Sequence, residues 1–169
     1  MKYAILMSAL LLGGCAELEA LFDPDADPGI VDAGMPVDPP PETLDPTPPP
    51  PPPEDANTVE EFDTTTEEDR QAALDVPDAA GEVELGRTLV TLGDPADPGI
   101  WLSTPLVSEL QMGRVEVPET GATAALELRP SGKEPGAGSE ISLPAMRLLE
   151  IPLTAIQELI VFATGGGTA

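Results

Sequence analysis

The chain contains no histidine. That absence removes the commonest general base and the commonest transition-metal ligand together. It holds one cysteine, Cys15, so an internal disulfide is excluded. Basic residues number 7 against 31 acidic ones, and the formal net charge is −24. With so few cations and no basic cluster, nucleic acid and anionic lipid surfaces are excluded as natural partners. Aromatic residues are scarce too: one tryptophan, one tyrosine and three phenylalanines. The apolar stretch Ala4 to Leu12 is nine residues long, far short of the ~20 that span a bilayer as a helix.

What is present begins at that stretch. Lys2 precedes it, and Gly13, Gly14 and Cys15 follow it directly. A positive flank, a short apolar segment and small residues behind it form the pattern of a secretory signal. An uncleaved anchor and an ordinary signal with a stray cysteine are the plainer alternatives. The order Leu12-Gly13-Gly14-Cys15 resembles the lipobox of bacterial lipoprotein signal peptides, which is a leucine, two small residues and a cysteine. The resemblance implies cleavage between Gly14 and Cys15. It also implies a thioether-linked diacylglycerol on the sulfur and a third acyl chain (palmitate or similar) on the new amino terminus. Each buried methylene contributes ~0.8 kcal/mol, so one chain holds weakly and several hold firmly. Ala16, not an aspartate, follows the cysteine, which by the same resemblance implies the outer membrane and its periplasmic face.

The remainder divides by composition. Ala16 to Glu82 carries 20 acidic residues, one basic residue (Arg70) and 14 of the 22 prolines. Val83 to Ala169 carries 11 acidic and 5 basic residues with 8 prolines. High charge with little apolar content leaves a chain without a core. The run Pro48 to Pro53 favours polyproline II, extended at ~3.1 Å per residue. The expected organisation is therefore a signal peptide at 1–14, a lipidated, acidic, proline-rich disordered tether at 15–63 and a short helix with connector at 64–80. A small β-rich domain at 81–164 and a loose tail at 165–169 complete it. In the connector, Thr65 with Glu68 fits a capping box, acids crowd the first turn, and Pro77 ends the pattern. A helix over about Thr66 to Leu74 is predicted, with little apolar face.

From Glu84 the pattern becomes short and extended. Leu85 to Leu92 and Ile100 to Val107 read as strands, the second broken by Pro105. Arg114 to Val117 alternates, with Val115 and Val117 on one face. Glu119-Thr120-Gly121 turns the chain. Thr123 to Leu128 alternates again, with Ala124, Leu126 and Leu128 inward. After a glycine-rich loop, Ser131 to Gly138, Ser142 is placed to cap a short helix with Pro144 in its first turn. Leu143, Met146 and Leu149 line one side of it. Glu158 to Ala163 is a last buried strand. Five or six short, evenly spaced strands suggest a small closed barrel, with Trp101 as the largest anchor of its core.

The segment Gly113 to Ile151 resembles the second half of the double-psi β-barrel of rare lipoprotein A and expansin-like proteins. The likeness rests on the strand leading to Thr120-Gly121, the second strand, the glycine-containing loop and the helix start at Ile141-Ser142-Leu143. It implies a double-psi-like barrel and a place at the peptidoglycan. The residues that catalysis requires in that family are not matched. The loop after the second strand reads Arg129-Pro130-Ser131-Gly132 without an acid until Glu134, Ser142 stands at the family's helix-start aspartate, and histidine is lacking.

Candidate sites are few. Asp94 and Asp97 offer two carboxylates where calcium takes six to eight oxygens, so a proline-stiffened turn is expected and no metal is assigned. The sequence implies no cofactor. Glu109, Glu134 and Glu140 fall in loops, but no spacing selects a catalytic pair. Ser103, Ser139 and Ser142 lack a base to activate them. Trp101, Arg114 and Arg129 are candidate ligand-binding residues, by stacking on a sugar ring or meeting carboxylates of peptidoglycan stems. Core packing for Trp101, and pairing with the domain's own acids for the two arginines and Arg147, are the alternatives. The functional expectation is an outer-membrane lipoprotein with a non-catalytic envelope-binding or scaffolding domain, its partner peptidoglycan or an envelope protein. The competing expectation is a divergent peptidoglycan-acting enzyme of the lytic transglycosylase kind. The layout also resembles small lipoproteins bearing the name D-galactarate dehydratase, for which the sequence supplies no metal-ligand cluster and so no mechanism.

Overall fold

A computed structural model describes residues 43–76 and 81–164, all within one unit that spans Pro40–Ala169. Gly14 and Cys15, with the rest of the signal segment and the early tether, lie outside the described residues, as does the tail at 165–169. Six strands carry the fold: β1 (Val83–Leu92), β2 (Trp101–Thr104), β3 (Gln111–Glu116), β4 (Thr123–Pro130), β5 (Ser139–Ile141) and β6 (Gln157–Ala163). They close into a barrel in the order β1-β5-β2-β4-β3-β6. β3 and β4 form the hairpin read from the sequence, with Val115 opposite Ala124 and Gly113 opposite Leu126. Its turn closes through the Gly121 amide on the Val117 carbonyl at 2.8 Å, with Gly121 at φ +73°. β1 and β5 run parallel, as do β2 and β4. Parallel neighbours need long connections, which is why strands close in sequence are not always neighbours in the ring.

The small closed β-barrel expected from the sequence is thus the fold observed. The alternation in β3 and β4 places Val115, Ala124, Leu126 and Leu128 in the interior, all at most 1 % exposed. With Val90, Leu102, Ile141, Leu159 and Val161 they make one continuous core. Each such Val, Leu or Ile contributes about 1.5–3 kcal/mol by leaving water. Gly113 lets the wall close here: a Cβ on it would lie 2.4 Å from Leu128 Cδ1 and 2.6 Å from the Phe162 carbonyl oxygen. β2 stops at Thr104, one residue before Pro105, whose ring removes a donor from the ladder. β5 was not legible in the sequence, because three residues are too few to display an alternation.

Among the helices, α1 spans Val59–Phe62, α2 spans Glu67–Leu74 and α3 spans Leu143–Leu148. α3 starts as expected: Ser142 Oγ accepts from the Ala145 amide, and Pro144 sits in the first turn. The same oxygen accepts from the Trp101 amide at 3.1 Å, while the Ser142 amide donates to the Trp101 carbonyl at 3.0 Å. One cap therefore ties the start of α3 to the start of β2. α2 begins one residue later than predicted, with Thr66 as cap and Asp69, not Glu68, completing the box. Thr65 is taken instead by Asp63, to which its hydroxyl donates, and it is buried.

The stretch 43–63 differs most from expectation. Composition places it in an extended tether, whereas the structure lays it along the barrel. Pro49 is buried, Thr64 Oγ1 donates to the Pro50 carbonyl at 2.6 Å, and α1 forms behind a Thr58–Glu61 capping box. Local composition does not report contacts with groups 84 residues away, and such contacts hold this arm.

Candidate functional site

Strand β4 breaks its own alternation at Glu127. The residue faces outward between Leu126 and Leu128, yet it is buried. Its neighbours account for this. Glu127 Oε1 accepts from Arg129 Nε at 2.6 Å. Its other oxygen accepts from Thr43 Oγ1 at 2.9 Å and from the Leu44 amide. Arg129 reaches past Glu127 to Asp97 Oδ2 at 2.9 Å and lies 5.0 Å from the ring centre of Trp101, within cation–π range. Trp101 is 3 % exposed and donates its indole N–H to the Asp97 carbonyl at 3.2 Å. Asp97 Oδ1 is buried and has no hydrogen-bond partner among the described residues.

Sequence candidates Trp101 and Arg129 are thereby brought together. Arg114, the third, belongs to a separate cluster. Its guanidinium forks onto Glu82, Nε to Oε1 at 2.9 Å and Nη2 to Oε2 at 2.8 Å, and reaches Glu116 at 3.2 Å. It stacks on Phe162 at 4.0 Å. The Glu82 hydrogen bonds hold the Arg114 pKa above its ordinary value despite partial burial. Both arginines are half-buried and each serves two acids of the domain.

The remaining candidates have structural posts. Asp94 accepts from the Ala96 amide at 2.8 Å and shapes the turn before β2. Ser139 is buried between Thr88 and Thr104, hydroxyl to hydroxyl. Glu109 and Glu134 are exposed in loops. Glu140 pairs with Lys133 at 2.9 Å beside an open groove of about 420 Å³ lined by Leu89, Thr91, Ala137, Gly138, Ser139 and Ile156. Among the described residues, no three His, Cys, Asp or Glu side chains are grouped to hold a metal ion.

Chemically, the Glu127–Arg129–Asp97 cluster is a charge lock. A guanidinium stands between the two carboxylates, so they share one cation and do not face each other across a cleft. The residues that sequence reasoning missed are Glu127 and its partners Thr43 and Leu44. A single acid at an outward strand position carries no signal, because most such positions are solvated. Comparison of the chain with protein-family models, curated proteins and solved structures finds no match.

Proposed function

We propose that this protein is a lipoprotein anchored in the outer membrane, whose barrel serves as a non-catalytic binding or scaffolding domain on the periplasmic side of the cell envelope. The observation that carries the reading is Leu12-Gly13-Gly14-Cys15 directly behind a nine-residue apolar stretch. Acylation of Cys15 gives the acidic, proline-containing stretch between it and Thr43 a purpose as a spacer. The target is peptidoglycan or an envelope protein. What favours binding over catalysis is the use of the barrel's acids: Glu127 and Asp97 neutralise Arg129, and Glu82 and Glu116 neutralise Arg114. A carboxylate whose oxygens are taken up by a guanidinium is not free to meet a substrate.

The test has two arms. Labelled palmitate enters the full chain, and Cys15→Ser abolishes that labelling, while globomycin accumulates the unprocessed precursor. Detergent-extracted full chain is then incubated with purified sacculi and with envelope extract. Unlabelled protein whose processing ignores globomycin overturns the anchor. A labelled protein enriched on neither sacculi nor any envelope protein overturns the binding role and leaves the anchor standing.

A further inference from the structure

The barrel closes and packs without its N-terminal arm. The ring of six strands is complete, and every residue in or against its core cluster lies at or after Leu85. Residues 43–76 lie outside that core cluster; α2 packs against β4, and two polar clips hold the rest of the arm. At the first, Thr43 and the Leu44 amide donate to Glu127. At the second, Arg147 on the exposed side of α3 donates to Asp63 Oδ2 at 2.8 Å and lies 3.9 Å from Glu60. Apolar anchoring is modest beside the barrel core: Ala73 and Pro49 are buried, Val59, Phe62 and Val76 are half-buried, and Leu74 is exposed. The arm carries ten acidic residues and one basic residue. The covered face thus fits an extended acidic segment with a hydroxyl residue at one end and paired acids at the other. The segment whose fit is displayed is the arm, and each copy of the chain carries one.

We propose that the arm is a strap that unclips while the barrel stays folded, and that the freed face accepts the arm of a second copy, so that two chains exchange arms. A contact made within one chain is available between two chains in the same geometry. Effective concentration favours the chain's own arm at dilution and loses that advantage as copies crowd together. Opening needs the two clips and the packing of α2 on β4 to break while the ring and core of the barrel stay intact, which is the kind of local event that precedes global unfolding. The inference stands on the arm and barrel alone and does not depend on where the protein resides.

The test uses two full-length chains with different affinity tags, expressed together. One carries Arg147→Glu and the other Asp63→Lys. Either variant alone sets like charges against each other at the second clip. Together, each arm finds opposite charge only on the other copy. Co-purification of the two tags is expected to exceed that of either variant with itself by about tenfold. Because Asp63 also holds Thr65, a second pair, Glu60→Lys/Asp63→Asn with Arg147→Glu, repeats the test with the new charge on a side chain 75 % exposed, while the amide oxygen still offers Thr65 an acceptor. Emission from Trp101 reports that the barrel is folded in every case. Folded variants with no excess co-purification in either pair overturn the exchange. So does wild-type protein whose amides at 59–66 exchange with solvent as slowly as that of Leu126, since the strap then never opens apart from the barrel. Rapid exchange of those amides with no tag exchange also overturns the second copy as occupant, and leaves the face to an acidic segment of a different protein.

Discussion

Arg129 Nε donates to Glu127 Oε1 at 2.6 Å, from two positions further along the same strand. Both point to the outer face of β4, and both are shielded there: the Glu127 side chain is 6 % exposed and that of Arg129 is 13 %. Removing the acid leaves the guanidinium with Asp97 alone and orphans the Thr43 and Leu44 donors. Glu127→Ala is therefore expected to destabilise the folded chain by about 1–3 kcal/mol. Urea titration followed by the emission of the only tryptophan, Trp101, measures it. Glu127→Gln keeps one good acceptor and costs less. Equal stability of Glu127→Ala and wild type would show that the shielded pair does not form.

Inside the barrel, Ser139 Oγ sits 2.7 Å from Thr88 Oγ1 and 2.9 Å from Thr104 Oγ1, and all three residues are buried. This chain of hydroxyls bridges β1, β5 and β2. Ser139→Ala strands a buried hydroxyl on Thr88 and costs about 1–3 kcal/mol. Adding Thr88→Val removes the stranded group, and the pair is expected to cost less than the sum of the two single changes. Thr104 keeps a partner throughout, because its hydroxyl also accepts from the Leu106 amide at 3.3 Å. Strict additivity in a double-mutant cycle would argue against the contact.

These two clusters mark what sequence can and cannot convey. Strands β3 and β4, the Thr120-Gly121 turn and the Ser142 cap were legible, because each rests on residues adjacent in the chain. Alternation is a local signal, and so is a hydroxyl followed by proline and a helix. Glu127 with Thr43, Asp63 with Arg147 and Ser139 with Thr88 were not legible. Their partners lie 51 to 84 residues apart, and nothing within the segment distinguishes a bonded acid from a solvated one. Trp101 and Arg129 are separate candidates in the sequence, and only the fold brings them together. The same blindness placed residues 43–63 in a tether: the segment has no core of its own, and the barrel supplies its contacts.

Just past α3, Glu150 adopts φ +56°, the left-handed conformation that a side chain resists. The position ends the helix: the Ile151 amide returns to the Met146 carbonyl at 2.9 Å, the 6→1 bond of a Schellman cap. Glycine reaches this conformation freely, offset in part by its greater freedom when unfolded. Glu150→Gly is expected to stabilise by about 0.5–1 kcal/mol, which raises the Tm by roughly 4–8 °C per kcal/mol for a domain of this size. Glu150→Ala keeps the strain and brings no such gain. A scanning-calorimetry trace in which Glu150→Gly melts below wild type would contradict the strained cap.

The arm carries its own pH-sensitive element at α1. Glu61 Oε2 accepts from the Asn57 amide at 2.9 Å, the Thr58 amide at 3.0 Å and the Thr58 hydroxyl at 3.1 Å. These bonds, the one from Asn57 foremost, hold the Glu61 pKa below the usual glutamate value. The sign follows from linkage. A carboxyl whose pKa is lower when folded contributes fully above its unfolded pKa, and the contribution is lost as pH falls through the folded one. The Asn57 and Thr58 amides should stay protected at neutral pH and exchange faster once acid protonates Glu61. Carbon-detected titration should find that carboxyl ionising at lower pH than the fully solvated glutamates of the chain. Glu61→Gln keeps one acceptor, so it should leave partial protection that no longer varies across that range. The outcome that defeats the assignment is a Glu61 carboxyl titrating at the solvated value, for then the carboxylate half of the α1 capping box does not form in solution. The arm would in that case reach Arg147 through Asp63 from a frayed segment, not from a formed turn of helix.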